Sequence, residues 1–379
     1  MSFLIIAGLA GSLVGFRKPF IQSLLAEGIT VHAAAPELLS NEKVKIELES
    51  MGVILHDVPM ARTGMNPLLD LKTLWALYKL MKQLKPDYTM GYTIKPVIYG
   101  GLAAWLAKVP QRFALITGLG YAFVDNDNFK RKIVNQIVVR LYKAALSNCQ
   151  CVFFQNTDDE ALFRELSIVQ PTTKTVVVNG SGVPVDEYIY EPAPAQSNLN
   201  FFLMARLIAA KGVRVYADAA RIVKKQYPNA NFILAGALDS NPDGISQDEL
   251  DGWIAAGLID YRGRLSDVKP VLKECSVFVL PSYYREGVPR SILEALATGR
   301  PIITTDSVGC RETVTEGENG FLVPIKDAHA LAEAMFKFIE QPELLTSMGQ
   351  RSREMAEQKY DVHKVNNHML REMGIVPAH

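Results

Sequence analysis

The stretch Ser276-Val-Phe-Val-Leu-Pro281 is followed, after a short loop, by Glu286-Gly-Val-Pro-Arg-Ser-Ile-Leu-Glu294. The first stretch is an uninterrupted apolar run, which is typical of a buried strand in a parallel sheet. The second is a glycine-containing loop that opens a helix, with Pro289 in the first turn, where its missing N–H costs no hydrogen bond. Together they predict a strand, a loop and a helix, the repeating unit of a doubly wound α/β fold.

Two carboxylates lie eight residues apart in this motif. The N-terminus of a helix at such a sheet edge binds phosphate, because its free N–H groups and its dipole favour anions. Glu294, two turns into the helix, is unsuited to phosphate and better suited to ribose hydroxyls, which acidic residues bind in nucleotide sites. Glu286, one turn before the helix, is placed to meet sugar hydroxyls. The motif therefore indicates a nucleotide-sugar site.

Strand and helix patterns alternate along the whole chain and restart near residue 200. This alternation predicts two doubly wound, Rossmann-like domains that face a central crevice, where ligand is expected at the carboxyl edges of the sheets. We expect a first domain over 1–181, a proline-containing linker over 182–199 and a second domain over 200–358. The remaining residues, 359–379, are expected to form a helix that packs back on the first domain.

Composition narrows the class of protein. The chain has 379 residues, of which 49% are hydrophobic and 21% charged, as in ordinary soluble enzymes. No apolar run approaches the roughly 18 residues of a transmembrane helix. The four cysteines lack metal-ligand spacing and favour a reducing, cytoplasmic compartment. No metal is predicted, because no Asp-x-Asp follows a strand and Asp125-Asn-Asp127 is interpreted as a turn.

Charge is unevenly distributed although the net charge is zero. Residues 67–143 carry 12 Lys and Arg against 4 Asp and Glu, which indicates an anionic partner. No nucleic-acid recognition motif is present, so nucleic acid is not the expected partner. The helical patterns at 66–85 and 129–147 have wide apolar arcs bordered by Lys and Arg, typical of helices that lie on anionic lipid. We therefore predict a peripheral protein on the inner face of the cell membrane.

The motifs together resemble those of a GT-B glycosyltransferase of family 4, over nearly the whole chain. The resemblance rests on the glycine loop Gly8–Gly15, on Met204-Ala-Arg-Leu-Ile-Ala-Ala-Lys-Gly212 and on the Glu286–Glu294 motif. Tyr92-Thr-Ile-Lys-Pro-Val-Ile-Tyr-Gly100 and Leu115-Ile-Thr-Gly-Leu-Gly120 are similar to a bacterial subgroup that acts on undecaprenyl-diphosphate-linked sugars in O-antigen, capsule or glycan assembly. Within that subgroup the N-acetylgalactosaminyltransferases look nearest.

This resemblance implies a retaining hexosyltransferase that moves a hexose or N-acetylhexosamine, expected to be GalNAc, from a UDP-sugar to an undecaprenyl-diphosphate-linked saccharide. It implies no metal and no other cofactor. Arg206 and Lys211 would clamp the diphosphate and stabilise it as it leaves, with Glu286 as the third catalytic residue. Glu294 and the rest of its motif, Gly287, Val288, Pro289 and Arg290, belong to the implied donor-binding set. The set also includes Gly11 and Gly15 of the first loop and the turn Gly263-Arg264-Leu265, which is the family's base-binding position.

The acceptor side departs from the family pattern at one position. Many members carry a histidine where this chain has Lys95, so Lys95 becomes the expected contact to sugar or phosphate. Thr117 and Gly118 are expected to supply acceptor-side backbone. Without that histidine, transfer would proceed by front-face attack, in which the leaving phosphate oxygen takes the acceptor proton and the protein positions the reactants.

Other functions remain open at this point. A UDP-sugar epimerase or a phosphorylase would use the same scaffold, but an epimerase needs acid–base groups that the histidine-free motifs lack. A non-catalytic nucleotide-sugar-binding scaffold would bind donor without turnover. A Rossmann oxidoreductase is disfavoured, because the glycine spacing after the first strand is wrong and Ala35-Pro36 follows the second strand in place of an acidic residue.

Overall fold

The computed structural model describes residues 1–61, 64, 66–119, 129–192, 199–239, 241 and 243–377, with the side chains of 129–132 excepted. The chain forms two units, one made of Met1–Ser181 with Val362–His379 and the other of Gly182–Asp361. The chain therefore passes between the units twice.

The first unit is built on a seven-stranded parallel sheet with the strand order 3-2-1-4-5-6-7. Its inner strands are short, mainly apolar runs that are largely buried on both faces, as parallel sheets require, whereas its two edge strands are partly exposed. The strand order reverses direction between the first and fourth strands, which is the position where α/β proteins bind ligands. The strands are β1 (Ser2–Ile6), β2 (Thr30–Ala35), β3 (Ile54–Asp57), β4 (Tyr88–Tyr92), β5 (Gln111–Ile116), β6 (Cys151–Phe154) and β7 (Thr175–Val177).

Helices connect these strands. The third of them is preceded by Asn66, whose side chain accepts hydrogen bonds from the backbone N–H groups of Leu68 and Leu69 and so caps the helix. A π-helical turn, Pro96–Gly100, precedes the fourth. The helices are α1 (Ala10–Ala26), α2 (Glu42–Ser50), α3 (Pro67–Leu84), α4 (Gly101–Ala107), α5 (Phe129–Leu146) and α6 (Thr157–Glu165).

The second unit repeats this plan with six parallel strands in the order 10-9-8-11-12-13. The reversal of strand order lies between the eighth and eleventh strands, which are hydrogen-bonded neighbours. The strands of this sheet are β8 (Asn200–Met204), β9 (Asn231–Ala235), β10 (Asp260–Tyr261), β11 (Val277–Leu280), β12 (Ile302–Thr305) and β13 (Gly320–Val323).

The helices of the second unit are α7 (Val213–Gln226), α8 (Gln247–Ala255), α9 (Lys269–Glu274), α10 (Arg290–Thr298), α11 (Ala328–Glu340) and α12 (Glu343–Met355). A π-helical turn, Ala356–Tyr360, follows α12. The last helix, α13 (Val362–Glu372), belongs to the first unit and packs against α1. Two parallel, doubly wound sheets confirm the predicted fold class.

Three details differ from the sequence-based predictions. Helix α1 begins at Ala10, so the predicted glycine loop is mostly helix and Gly11 and Gly15 lie in its first two turns. Helices α2, α6 and α8 and strand β3 are not predicted. Residues 182–192 are not a free linker, because Val183, Val185 and Tyr188 are buried in the core of the second unit.

Candidate active site

The loops after β8 and β11 pack against each other at the reversal point of the second sheet. The carbonyl of Ala210 accepts hydrogen bonds from the N–H groups of Tyr283 at 2.9 Å and Tyr284 at 3.0 Å. Gly212 has φ +76°, and a Cβ there would lie 2.0 Å from the carbonyl oxygen of Pro281, so this position requires glycine. The strand order and the absence of a Cβ at Gly212 thus allow two loops that are far apart in sequence to pack together.

This packing joins two of the predicted catalytic residues. The Lys211 ammonium contacts the Glu286 carboxylate, and both side chains are largely buried, at 13% and 12% exposure. The Ser282 hydroxyl lies 3.1 Å from Glu286 Oε1, and Lys211 Nζ lies 5.6 Å from the centre of the Tyr284 ring. A largely buried ammonium at this point of the sheet can exchange its carboxylate partner for a phosphate. Ser282 was not predicted, and its one sequence signal is its position directly after a buried strand.

Arg206 lies on the same loop as Lys211 but has a different partner. Its guanidinium pairs with Asp239, which follows β9, at 3.0 Å, and its side chain is exposed. The described contacts therefore assign Arg206 to the neighbouring strand end and not to the Lys211–Glu286 pair. Asp239 is a further polar residue at this edge that the motifs do not indicate.

Glu294 is largely buried inside the second unit. Its side chain is 14% exposed, and Arg290, one turn earlier in α10, donates to it at 3.1 Å. Burial raises the pKa of the Glu294 carboxyl, and the Arg290 charge and a hydrogen bond with Tyr188 oppose that shift. Burial and the nearby Glu294 charge raise the pKa of Tyr188 in turn. Tyr188 lies in the segment predicted to be a linker, which is why the sequence did not connect it with Glu294.

Arg290 has a second contact. Its guanidinium donates to the backbone carbonyl of Gly182 at 3.0 Å, at the residue where the chain enters the second unit. Pro289 is the N-cap residue of α10 rather than part of its first turn, and its carbonyl accepts from the N–H of Ile292 at 3.1 Å. Val288 is buried beside it, and Gly287 precedes it in the loop.

The predicted base-binding turn follows β10, at the edge of the sheet. The carbonyl of Gly263 accepts a hydrogen bond from the N–H of Gly236 at 2.8 Å, which joins this turn to the loop after β9. Leu265 packs on the core and Arg264 is exposed. The turn is therefore separated from the loop of Lys211 by one strand, β9.

The reversal point of the first sheet carries the other predicted residues. Gly11 and Gly15 lie on α1, and the hydroxyl of Ser12 between them is 2.7 Å from that of Tyr92, at the end of β4. Ser12 donates to the carbonyl of Leu9 at 2.6 Å, so Tyr92 is the donor of the shared bond. Burial raises the pKa of Tyr92 to about 12, which keeps the phenol protonated and able to donate.

Lys95 follows β4 and forms an ion pair with Asp70 of α3, at 2.7 Å. Asp70 is a buried residue that no motif indicates. Thr117 and Gly118 follow β5 and are partly buried. The turn predicted at Asp125-Asn-Asp127 lies outside the described residues.

Within the part of the chain that the structure describes, no group of three or more His, Cys, Asp or Glu side chains is placed to hold a metal ion. Among the same residues, no helix combines the length and the apolar character needed to span a bilayer.

Comparison with known proteins identifies the family. A family model described as "Glycosyl transferase 4-like" matches residues 7–156, and one described as "Glycosyl transferases group 1" matches residues 187–355. The N,N'-diacetylbacillosaminyl-diphospho-undecaprenol α-1,3-N-acetylgalactosaminyltransferase of Campylobacter jejuni is 30% identical over 362 residues, 92% of each chain. The UDP-Gal:α-D-GlcNAc-diphosphoundecaprenol α-1,3-galactosyltransferase of Escherichia coli is 30% identical over 328 residues, 79% of this chain and 81% of the relative.

Solved structures agree on the fold. HepE from Anabaena, crystallised with UDP, superposes with a TM-score of 0.77 at 18% identity, covering 99% of this chain and 100% of HepE. Sucrose-phosphate synthase from Thermosynechococcus elongatus has a TM-score of 0.77 at 18% identity, covering 97% of both chains. With its two doubly wound sheets and its full-length relatives, the chain belongs to family 4 of the glycosyltransferases and is a glycosyltransferase with the GT-B fold.

Proposed function

We propose that this glycosyltransferase moves a hexose or N-acetylhexosamine from a UDP-sugar to an undecaprenyl-diphosphate-linked saccharide, with retention of anomeric configuration. The contact between Lys211 and Glu286 is the observation that carries the proposal, because it sets a largely buried cation and a carboxylate side by side at the reversal point of the second sheet. Glu294, largely buried in the second turn of the adjoining helix α10, is the group proposed to bind the ribose.

The chemistry assigned to these residues is leaving-group stabilisation. When a UDP-sugar binds, its diphosphate takes the place of the Glu286 carboxylate as the partner of the Lys211 ammonium. Glu286 is then released toward the sugar hydroxyls. As the glycosidic bond breaks, negative charge grows on the phosphate oxygen, and a cation held in a largely buried site stabilises that charge more strongly than water does. The same oxygen accepts the acceptor proton in front-face attack, so a protein base is not required.

The relatives support the choice of substrates. The names of both relatives specify sugar transfer to a saccharide on diphospho-undecaprenol, and one of them names UDP-galactose as donor. The identity of 30% over 92% of both chains makes the N-acetylgalactosaminyltransferase the better guide, so UDP-GalNAc is the first donor to test.

The test is a panel of UDP-sugars offered with short-chain polyprenyl-diphosphate saccharides, with UDP release and product mass as readouts. Acceptor-dependent UDP release with one donor supports the proposal, and the NMR coupling constant of the product's anomeric proton decides between retention and inversion. Turnover is expected to persist in EDTA, because we propose that Lys211 takes the role of a metal. Donor binding without turnover on any acceptor favours a scaffold, and donor isomerisation without acceptor favours an epimerase.

We also propose that the first unit docks on an anionic membrane through α3, α4 and α5. Helix α4 packs against both α3 and α5, and all three carry exposed apolar side chains. Exposed lysines of α3 border them, including Lys72, Lys79 and Lys82. Apolar side chains next to Lys and Arg suit a negatively charged lipid surface. The apolar side chains are Leu68, Leu71, Trp75, Trp105, Leu106, Ile133, Val134 and Ile137.

Sedimentation with phosphatidylglycerol–phosphatidylcholine vesicles at low salt tests this docking. Trp75→Glu, on the exposed face of α3, is expected to reduce the bound fraction severalfold. Ile46→Glu is the matched control, because Ile46 is an exposed apolar residue of the same unit on the glutamate-rich helix α2. Equal binding of wild type and Trp75→Glu, or equal losses in both variants, would contradict the proposed surface.

A further inference from the structure

The end of β4 carries an ion pair that costs energy to bury. Lys95 Nζ lies 2.7 Å from Asp70 Oδ1, and the two side chains are 15% and 10% exposed. Removing two charges from water costs several kcal/mol per ion, so a buried pair contributes little net stability. This pair lies at the carboxyl end of β4, beside the reversal point of the first sheet, where α/β proteins bind ligands. Its position indicates a role in binding rather than in folding.

Tyr99 is a second neighbour of Asp70. Burial together with the Asp70 charge raises the pKa of Tyr99, so that the phenol keeps its proton and can donate to the carboxylate. Asp70 is in the first turn of α3 and Tyr99 is in the π-helical turn after β4. The carboxylate therefore links two elements and determines where the Lys95 ammonium lies.

The backbone that presents Lys95 is strained. Thr93 has φ +68°, a left-handed conformation that is rare and unfavourable for a β-branched residue. The surrounding turn maintains this conformation. The N–H of Val97 donates to the Thr93 carbonyl at 3.1 Å, and a Cβ on Gly91 would lie 2.4 Å from the carbonyl oxygen of Pro96. Strained residues and π-helical turns occur frequently at functional sites.

The charge of the pair indicates its ligand. An ammonium has three N–H donors, and the contact with Asp70 uses one of them. Because Asp70 neutralises its charge, Lys95 presents a polar but not a strongly cationic group. Such a group suits a sugar hydroxyl better than a diphosphate, whereas Lys211 of the second unit is the cation proposed to bind the donor diphosphate.

We propose that Asp70 and Tyr99 are positioning residues that hold the Lys95 ammonium for a hydrogen bond to a hydroxyl of the acceptor saccharide. This inference rests on the proposed function and adds two residues to it. A hydrogen bond to a charged group contributes about 1.5–3 kcal/mol, so loss of the bond is expected to lower kcat/KM for the acceptor by about 10- to 100-fold. The KM for the UDP-sugar should stay within about twofold, since Lys211, Glu286 and Glu294, the side chains proposed to bind it, lie in the other unit.

A double-mutant cycle tests the inference. Lys95→Met, Asp70→Asn and the double variant are compared for steady-state kinetics against both substrates and for Tm. If Asp70 acts through Lys95, the double variant is no worse toward the acceptor than Lys95→Met alone. Additive losses, or a loss confined to the UDP-sugar KM, overturn the proposal. Tyr99→Phe keeps the ring and removes one hydroxyl, so it keeps the test valid if Asp70→Asn fails to fold. It is expected to raise the acceptor KM severalfold, and an unchanged acceptor KM also overturns the proposal.

The control is Glu47→Gln. Glu47 pairs with Lys18 at 2.7 Å in the same unit, but that pair is more exposed and lies between α1 and α2. The kinetics of Glu47→Gln should match those of the wild type. Wild-type turnover decides the proposed function independently of the variants. If the wild type shows no turnover, the cycle is repeated on the dissociation constant of a short-chain polyprenyl-diphosphate N-acetylhexosamine, where equal affinities in wild type and Asp70→Asn overturn the inference.

Discussion

Replacing Lys211 by Met should separate the stability of the site from its chemistry. The Lys211 and Glu286 side chains are about nine-tenths buried, so losing the ammonium leaves a desolvated carboxylate behind. Breaking a buried pair costs about 3–5 kcal/mol, and the hydrogen bond from Ser282 offsets about 1 kcal/mol of that cost. A net loss of about 2–4 kcal/mol shifts the Tm of a unit of this size by roughly 4–16 °C.

The double variant Lys211→Met/Glu286→Gln gives the contrast. It removes both charges and preserves side-chain volume, and such replacements are often neutral or stabilising. Its Tm is therefore expected to return close to that of the wild type. Its kcat should remain about 100- to 1000-fold below that of the wild type, as in the single variant, because neither of the two new side chains can stabilise charge on the leaving phosphate.

Scanning calorimetry and UDP-release assays on the same samples measure both effects. Arg221→Met is the control, since Arg221 pairs with Asp218 on the exposed face of α7 and should contribute less than about 1 kcal/mol. A Tm of Lys211→Met equal to that of the wild type would show that the pair is not desolvated. Restored turnover in the double variant would refute leaving-group stabilisation by Lys211.

Two further variants of the second unit have defined outcomes. Gly212→Ala should lower the Tm by several degrees, because its Cβ would lie 2.0 Å from the Pro281 carbonyl oxygen. The control Gly257→Ala, at φ +64° with no described atom within 4 Å of the added Cβ, should lower the Tm less. Equal decreases in Tm would argue against the packing of the two loops. Glu294→Gln should abolish UDP binding in calorimetric titration yet raise the Tm at pH 7. Burial raises the folded-state pKa of this carboxyl above 4.5, so its ionisation penalises the folded state at neutral pH and not at pH 4. A pH-independent Tm difference would contradict this sign.

Much of the architecture follows from local patterns. The apolar run before Glu286 and the helix after it are present as β11 and α10, because a short buried run suits only a strand covered on both faces. Helix α2 is not predicted from the sequence, where Val44, Ile46 and Leu48 alternate with polar residues. In the structure Asn41 caps a helix, Val44 and Leu48 are buried one turn apart, and Ile46 is exposed.

By itself the sequence determined the two doubly wound sheets, the restart of the pattern near residue 200 and the motif that contains Glu286 and Glu294, since these depend on periodicity and on residue types close together in the chain. Only the tertiary structure decided which charged groups are partners. Lys211 contacts Glu286 across 75 positions because β8 and β11 are neighbours, and Lys95 contacts Asp70 because the turn after β4 meets the start of α3. Strand order and helix packing result from burial summed over a whole unit, and no local stretch of sequence contains that information.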